Sequence, residues 1–290
     1  MTAATERKAY GASDLHRRFE RIEVVRRSLA VAAGPFVRRV PAERLPGALC
    51  RAAVVCDWLG RRLRFQPADA LDPDLRGLSL RELVRACRTC GRPVSFDVLA
   101  DNEEALRKLQ AEGRKTLWCG MHHALAGAIP LLFESWGWPS ACLTAQRLNP
   151  SWGDFEGCQP IRPSSIGLLE LRRAIEHGKA TIALLDAGRQ SRRAALASPG
   201  LLGLARRLGA TPVAFRIELD ADAARLRVRT QPGPSPGQPA ERYLAEARAA
   251  VEALYGDSWG MRVVWSERLD ATAAAADFKA RAAAALLGEC

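Results

Sequence analysis

Two of the chain's four histidines, His122 and His123, stand side by side within Lys115 to Pro139, KTLWCGMHHALAGAIPLLFESWGWP. A short apolar run precedes them, and a second apolar stretch follows, broken by Pro130 and closed by Trp136-Gly137-Trp138-Pro139. Leu117, Trp118 and Cys119 read as a buried strand, because the run is brief and a helix-like segment, Asn102 to Glu112, precedes it with Gly113 as its stop. The histidines then fall at the strand's carboxyl end. In an open α/β sheet that edge collects ligands, and the following helix points its amide groups there. A histidine at such a junction is a natural proton handler, since it titrates near neutrality and a helix terminus close by favours its neutral, basic form. The residues alone leave a second reading open, in which one histidine is structural and its neighbour merely exposed.

The surrounding elements supply further candidates. Gly167 to His177 has the pattern of an amphipathic helix stopping at Gly178, and Ala180 to Leu185 that of a strand delivering Asp186 to its own carboxyl end. Asp186-Ala187-Gly188 also fits a simple turn. Between the two strand readings, Ala141 to Ala145 makes another strand, and Gln146 to Ser165 reads as a polar loop carrying Arg147, Asp154, Glu156 and Arg162. Upstream, Asp14 to Val40 reads as a basic amphipathic helix, with Phe19, Ile22, Val25 and Leu29 among Arg17, Arg18, Arg21, Arg26 and Arg27. That pattern suits a helix on a lipid surface as well as one packed on its own core. Leu45 to Leu63 gives a second helix, and Ser79 with Glu82 a capping box for a third that stops at Gly91. Val94, Phe96 and Val98 alternate as a half-buried strand. Downstream, Leu201 to Leu208 is helical, Thr211 to Leu219 and Arg225 to Arg229 pair as a hairpin, and Ala240 to Tyr255 and Ala271 to Leu287 are helices.

The stretch around the histidines resembles the lysophospholipid acyltransferase superfamily, and within it the late acyltransferases of lipid A synthesis. Those place a histidine after such a strand, then four residues and an Asp or Glu, then an apolar helix ending in Gly-aromatic-Pro. Counting back from Gly137-Trp138-Pro139 puts that histidine at His122 and the acid position at Gly127; from His123 the acid position is Ala128. The histidine half of the motif is present and its carboxylate half is missing. The resemblance runs from about residue 94 to 266, through the strand ending in Asp186, the Gly209-Ala210-Thr211-Pro212-Val213 segment and Asp257-Ser258-Trp259-Gly260-Met261.

The resemblance implies an α/β fold with a mixed, largely parallel central sheet flanked by helices. A helical region, 1–92, would pack on an acyltransferase-like domain, 93–290. It implies acyl transfer from an acyl carrier protein or acyl-CoA thioester to a hydroxyl or amine of a lipid-like or hydroxylated acceptor. His122 would be the general base, with His123 as the alternative, and Asp186 the leading replacement for the missing carboxylate. Arg147 and Arg162 would bind an anionic donor or acceptor, and Trp118 and Trp136, with Phe133 and Trp138, would line an acyl tunnel if they are not core. No cofactor or metal is implied. Two other readings remain: a non-catalytic protein that binds an acyl chain or carrier, and a condensation-domain-like enzyme, since those use a His-His pair with the second histidine active.

At 290 residues, 48% hydrophobic and 26% charged, the chain can bury a full core. Its net charge of +11 is spread along the sequence, which suits a solvated surface, an anionic membrane surface or an acidic carrier. No zinc-finger or arginine-tract pattern appears, so nucleic acid is not an expected partner. The eight cysteines, 50, 56, 87, 90, 119, 142, 158 and 290, form no disulfide framework. Cys87 and Cys90 make one Cys-x-x-Cys without a second pair to complete a zinc site. With no signal-peptide pattern at the start and no apolar stretch near the roughly 20 residues needed to span a bilayer, the expected location is the cytoplasm, with peripheral contact at the inner face of the membrane.

Overall fold

The computed structural model describes residues 35, 37–62, 74–144, 152, 155–191, 194–259 and 262–265. The basic helix expected over Asp14 to Val40 lies almost wholly outside these residues, as do Arg147, Asp154 and the helix expected over Ala271 to Leu287.

At the centre is β2 (Thr116–Gly120), a strand buried along its whole length. Its side chains alternate between two cores. Trp118 points into one with Phe133, Phe215 and Ile182, while Leu117 and Cys119 enter the other with Leu171, Leu202 and Val251. A strand buried on both faces carries an unbroken apolar run, which is why the three residues Leu117, Trp118 and Cys119 sufficed to mark it. Around it a seven-stranded sheet has the order β1-β9-β8-β2-β5-β3-β4, with β1 Val98–Ala100, β3 Ser140–Leu143, β4 Cys158–Ile161, β5 Ala180–Leu184, β8 Thr211–Asp220 and β9 Arg225–Pro232. Every neighbouring pair is parallel except the β8/β9 hairpin. The expected mixed, largely parallel sheet flanked by helices is therefore what the chain forms.

Helices α1 (Leu45–Arg62), α2 (Asp74–Thr89), α3 (Glu103–Ala111) and α4 (Ile129–Ser135) contribute to the first core, and α5 (Ser165–Glu176), α6 (Gly200–Arg207) and α7 (Ala240–Trp259) to the second. Glycines in the left-handed region end α3 and α5, Gly113 at φ 63° and Gly178 at φ 72°, so the chain turns directly into β2 and β5. A three-stranded sheet, β6 (Asp186–Ser191), β7 (Ala194–Ala197) and β10 (Arg262–Trp265), completes the described residues.

Four expectations are corrected. Val94 and Phe96 precede the strand and do not belong to it, because β9 pairs only with Val98 to Ala100. Ser79 and Glu82 lie inside α2, which starts five residues earlier at Asp74, so they form no cap. The loop Gln146 to Ser165 contains β4, invisible as a pattern because only Cys158 and Ile161 are buried while Gln159 and Pro160 face out. Asp186 opens a strand, not a turn.

Candidate active site

Strand register brings the site together. β2 and β5 pair in parallel from Thr116 opposite Ala180 to Gly120 opposite Leu184. Extending that register two residues past the last pair sets His122 opposite Asp186. The Leu185 N–H donates to the Gly120 carbonyl at 2.8 Å, keeping the two chains together as they leave the sheet. Asp186 Oδ1 then accepts two bonds from the same residue, from the His122 backbone N–H at 2.8 Å and across 2.9 Å from the His122 ring at Nδ1. The carboxylate has 0% side-chain exposure and the imidazole 57%.

With Asp186 ionised, its Oδ1 can only accept, which puts the proton of His122 on Nδ1 and the basic lone pair on Nε2. The buried acid thus fixes the ring's tautomer and orientation while more than half of the side chain remains open to solvent. The helix start expected close by lies further on: a 3₁₀ turn, Ala126–Ala128, intervenes before α4, which begins at Ile129. Among the described residues, Asp186 Oδ2 is buried with no hydrogen-bond partner.

His123 is held differently. Its Nδ1 bonds the Met121 carbonyl at 2.8 Å, and its Nε2 accepts the Ile217 N–H at 3.2 Å. Both ring nitrogens are committed to backbone groups, and the lone pair a base would need is already occupied. Met121 itself donates its N–H to the Tyr255 hydroxyl at 2.9 Å.

The remaining candidates separate. Arg162 directly follows β4, exposed, at the same carboxyl edge as His122 and Asp186. Trp118 is fully buried, edge-on to Phe133 with ring centroids 4.8 Å apart and to Trp138 at 6.2 Å. Trp136 is also buried, beneath the Arg107 guanidinium at 5.0 Å. The aromatic surface of both tryptophans is taken up by packing. Glu156 lies in the turn before β4. Burial pushes the Cys87 thiol up to about 11 and the Cys142 thiol up to about 12, so neither is poised as a thiolate nucleophile. Sequence reasoning passed over Tyr255, whose only signal was its place on the apolar face of α7.

A comparison of the chain with known protein families matches none of them, and no curated protein matches its sequence.

Proposed function

We propose that the protein is an acyltransferase in which His122 is the general base and Asp186 its orienting carboxylate. The observation that carries this reading is the 2.9 Å contact between an open imidazole and a fully buried carboxylate at the carboxyl edge of the sheet. The sequence resemblance supplies the reaction class, and the pair supplies the acid whose absence at Gly127 stood against it. In the proposed step Nε2 takes the proton of an acceptor hydroxyl or amine as its oxygen or nitrogen attacks the thioester carbonyl of a carrier-protein or CoA donor. The tetrahedral adduct expels the thiolate, which takes the proton back from the imidazolium. Proton transfer of this kind is worth about 10²- to 10⁴-fold in rate. Arg162, at the same edge, is proposed to meet the anionic part of the donor.

The acceptor is proposed to be lipid-like or hydroxylated and to be met at an anionic membrane surface. Two apolar patches support this. On α1, Val55, Trp58 and Leu59 are exposed, Trp58 at 58%. That helix is tied near the site: Asp57 pairs with Arg76 at 3.1 Å, and the adjacent Gly77 backs onto Leu125 so closely that a Cβ would lie 2.8 Å from its Cγ. On α5, which starts three residues after Arg162, Ile166 and Leu169 are exposed, Ile166 at 68%. Among the described residues no helix is long and apolar enough to cross a membrane.

The test measures thiol release from acylated carrier protein and acyl-CoA with hydroxylated and amine acceptors. Turnover that vanishes in His122→Ala and persists in a folded His123→Gln variant is the expected result. If no donor and acceptor pair turns over while acylated carrier still binds, the protein is an acyl-binding protein. If His123→Gln alone is inactive, the base is misassigned.

A further inference from the structure

The parallel ladder between β2 and β8 runs from Thr116 opposite Thr211 to Cys119 opposite Ala214. One continuation of the same register sets Met121 opposite Arg216. In a parallel ladder a residue so placed gives its N–H to the carbonyl of the residue before its partner and accepts from the N–H of the residue after it. Here those groups are the Phe215 carbonyl and the Ile217 N–H. Both are used, but neither directly. The Tyr255 hydroxyl accepts the Met121 N–H at 2.9 Å and donates to the Phe215 carbonyl at 2.7 Å. The His123 ring joins the Met121 carbonyl at 2.8 Å to the Ile217 N–H at 3.2 Å. The missing rung is thus made twice over through side chains, with a hydroxyl and an imidazole wedged between the strands.

We infer that Tyr255 and His123 are positioning residues for the His122–Asp186 pair, holding the end of β2 away from β8 and against Asp186. A direct rung would close the Met121 and β8 backbones to a single hydrogen bond of about 2.9 Å in place of two in series. The Met121-His122 peptide would move with it, away from the β5 side where Gly120 and His122 make their bonds. The wedge is firmly seated. Tyr255 is fully buried on α7, its neighbour Leu254 gives its carbonyl to the buried Arg216 guanidinium, and the His123 ring meets Tyr255 edge-on at 6.3 Å. This explains why two histidines stand together, one bracing the turn that presents the other.

For its kinetic arm the inference rests on His122 being the base; its spectroscopic arm does not. Two readouts are taken on Tyr255→Phe, His123→Ala and His123→Gln, each checked for folding by circular dichroism and thermal unfolding. The first is turnover, where displacement of the base by about 1 Å costs on the order of 10²-fold in kcat with KM little changed. The second is the pattern of imidazole nitrogen NMR shifts, which reports whether His122 keeps its proton on Nδ1. Tyr255→Phe and His123→Ala are expected to lose both. His123→Gln, whose amide can donate to Met121 and accept from Ile217, is expected to restore both. Retention of the His122 tautomer and of turnover in folded Tyr255→Phe overturns the inference. If Tyr255→Phe does not fold, identical His122 shifts in His123→Ala and His123→Gln overturn it. If the wild type transfers no acyl group, the NMR arm decides alone.

Discussion

A carboxylate with no exposure is costly to bury, and Asp186 offsets that cost with only one of its two oxygens, Oδ1, which His122 approaches twice. Its other oxygen, Oδ2, has no partner among the described residues. Such a group is better explained by what it does for the imidazole than by what it adds to the fold. Asp186→Asn is therefore expected to lower turnover by about 10²- to 10⁴-fold while leaving the thermal unfolding midpoint unchanged or higher. A carboxylate beside an imidazole favours its protonated form, so whatever rate survives in Asp186→Asn should have its acid limb at lower pH. A variant that loses Tm and activity in parallel makes Asp186 a structural residue. At this scale Asp186 was legible, because strand-end logic needs only a strand pattern followed by an acid. The different bonding of the two histidines was not, since the Ile217 amide that occupies His123 lies 94 positions along the chain.

Elements with a strong period were legible and those without one were not. The helices ending at Gly113 and Gly178 and the β8/β9 hairpin all stand within a few residues of where the sequence places them, except that α7 continues four residues past Tyr255. The strands β4, β6, β7 and β10 were missed; of these, CQPI and DAGRQS are short segments with little apolar alternation to betray them. Gly120 shows a close approach that sequence also hides: a Cβ there would stand 2.7 Å from the Phe215 ring and 3.2 Å from Leu184. Phe215 is fully buried against Trp118 and has little room to yield. Gly120→Ala is expected to destabilise the protein by about 1–3 kcal/mol in urea unfolding, the range for an overpacked core. Because Gly120 is the last residue of the strand that presents His122, the same variant should lose turnover out of proportion to the unfolded fraction. Unchanged stability would mean that Phe215 has space the packing does not show.

Over the whole molecule, charge and exposed apolar surface bear on the proposed membrane contact in different ways. The excess of 43 basic over 32 acidic side chains attracts an anionic bilayer from a distance, but that attraction is screened over about 8 Å at physiological ionic strength and about 3 Å in molar salt. The exposed Trp58 and Ile166 act only on contact, by burying apolar area at the headgroup boundary, and salt does not weaken that term. Ile166 lies on α5, which starts three residues after Arg162 at the carboxyl edge that holds His122 and Asp186. The protein is therefore expected to co-sediment with anionic vesicles and not with neutral ones, and to be released progressively by salt. On binding, tryptophan fluorescence should shift to the blue, and Trp58→Ser should remove most of that shift because the other tryptophans with a described environment, Trp118, Trp136, Trp138, Trp152 and Trp265, are buried or partly buried. Trp58→Ser and Ile166→Ser together should weaken vesicle binding while leaving transfer to a soluble acceptor intact, since neither residue touches the His122–Asp186 pair. Equal binding to neutral and anionic vesicles would make the contact apolar alone. Vesicle binding untouched by both substitutions would move the membrane face elsewhere on the molecule, and an absence of vesicle binding would leave a soluble acceptor as the partner for the same chemistry.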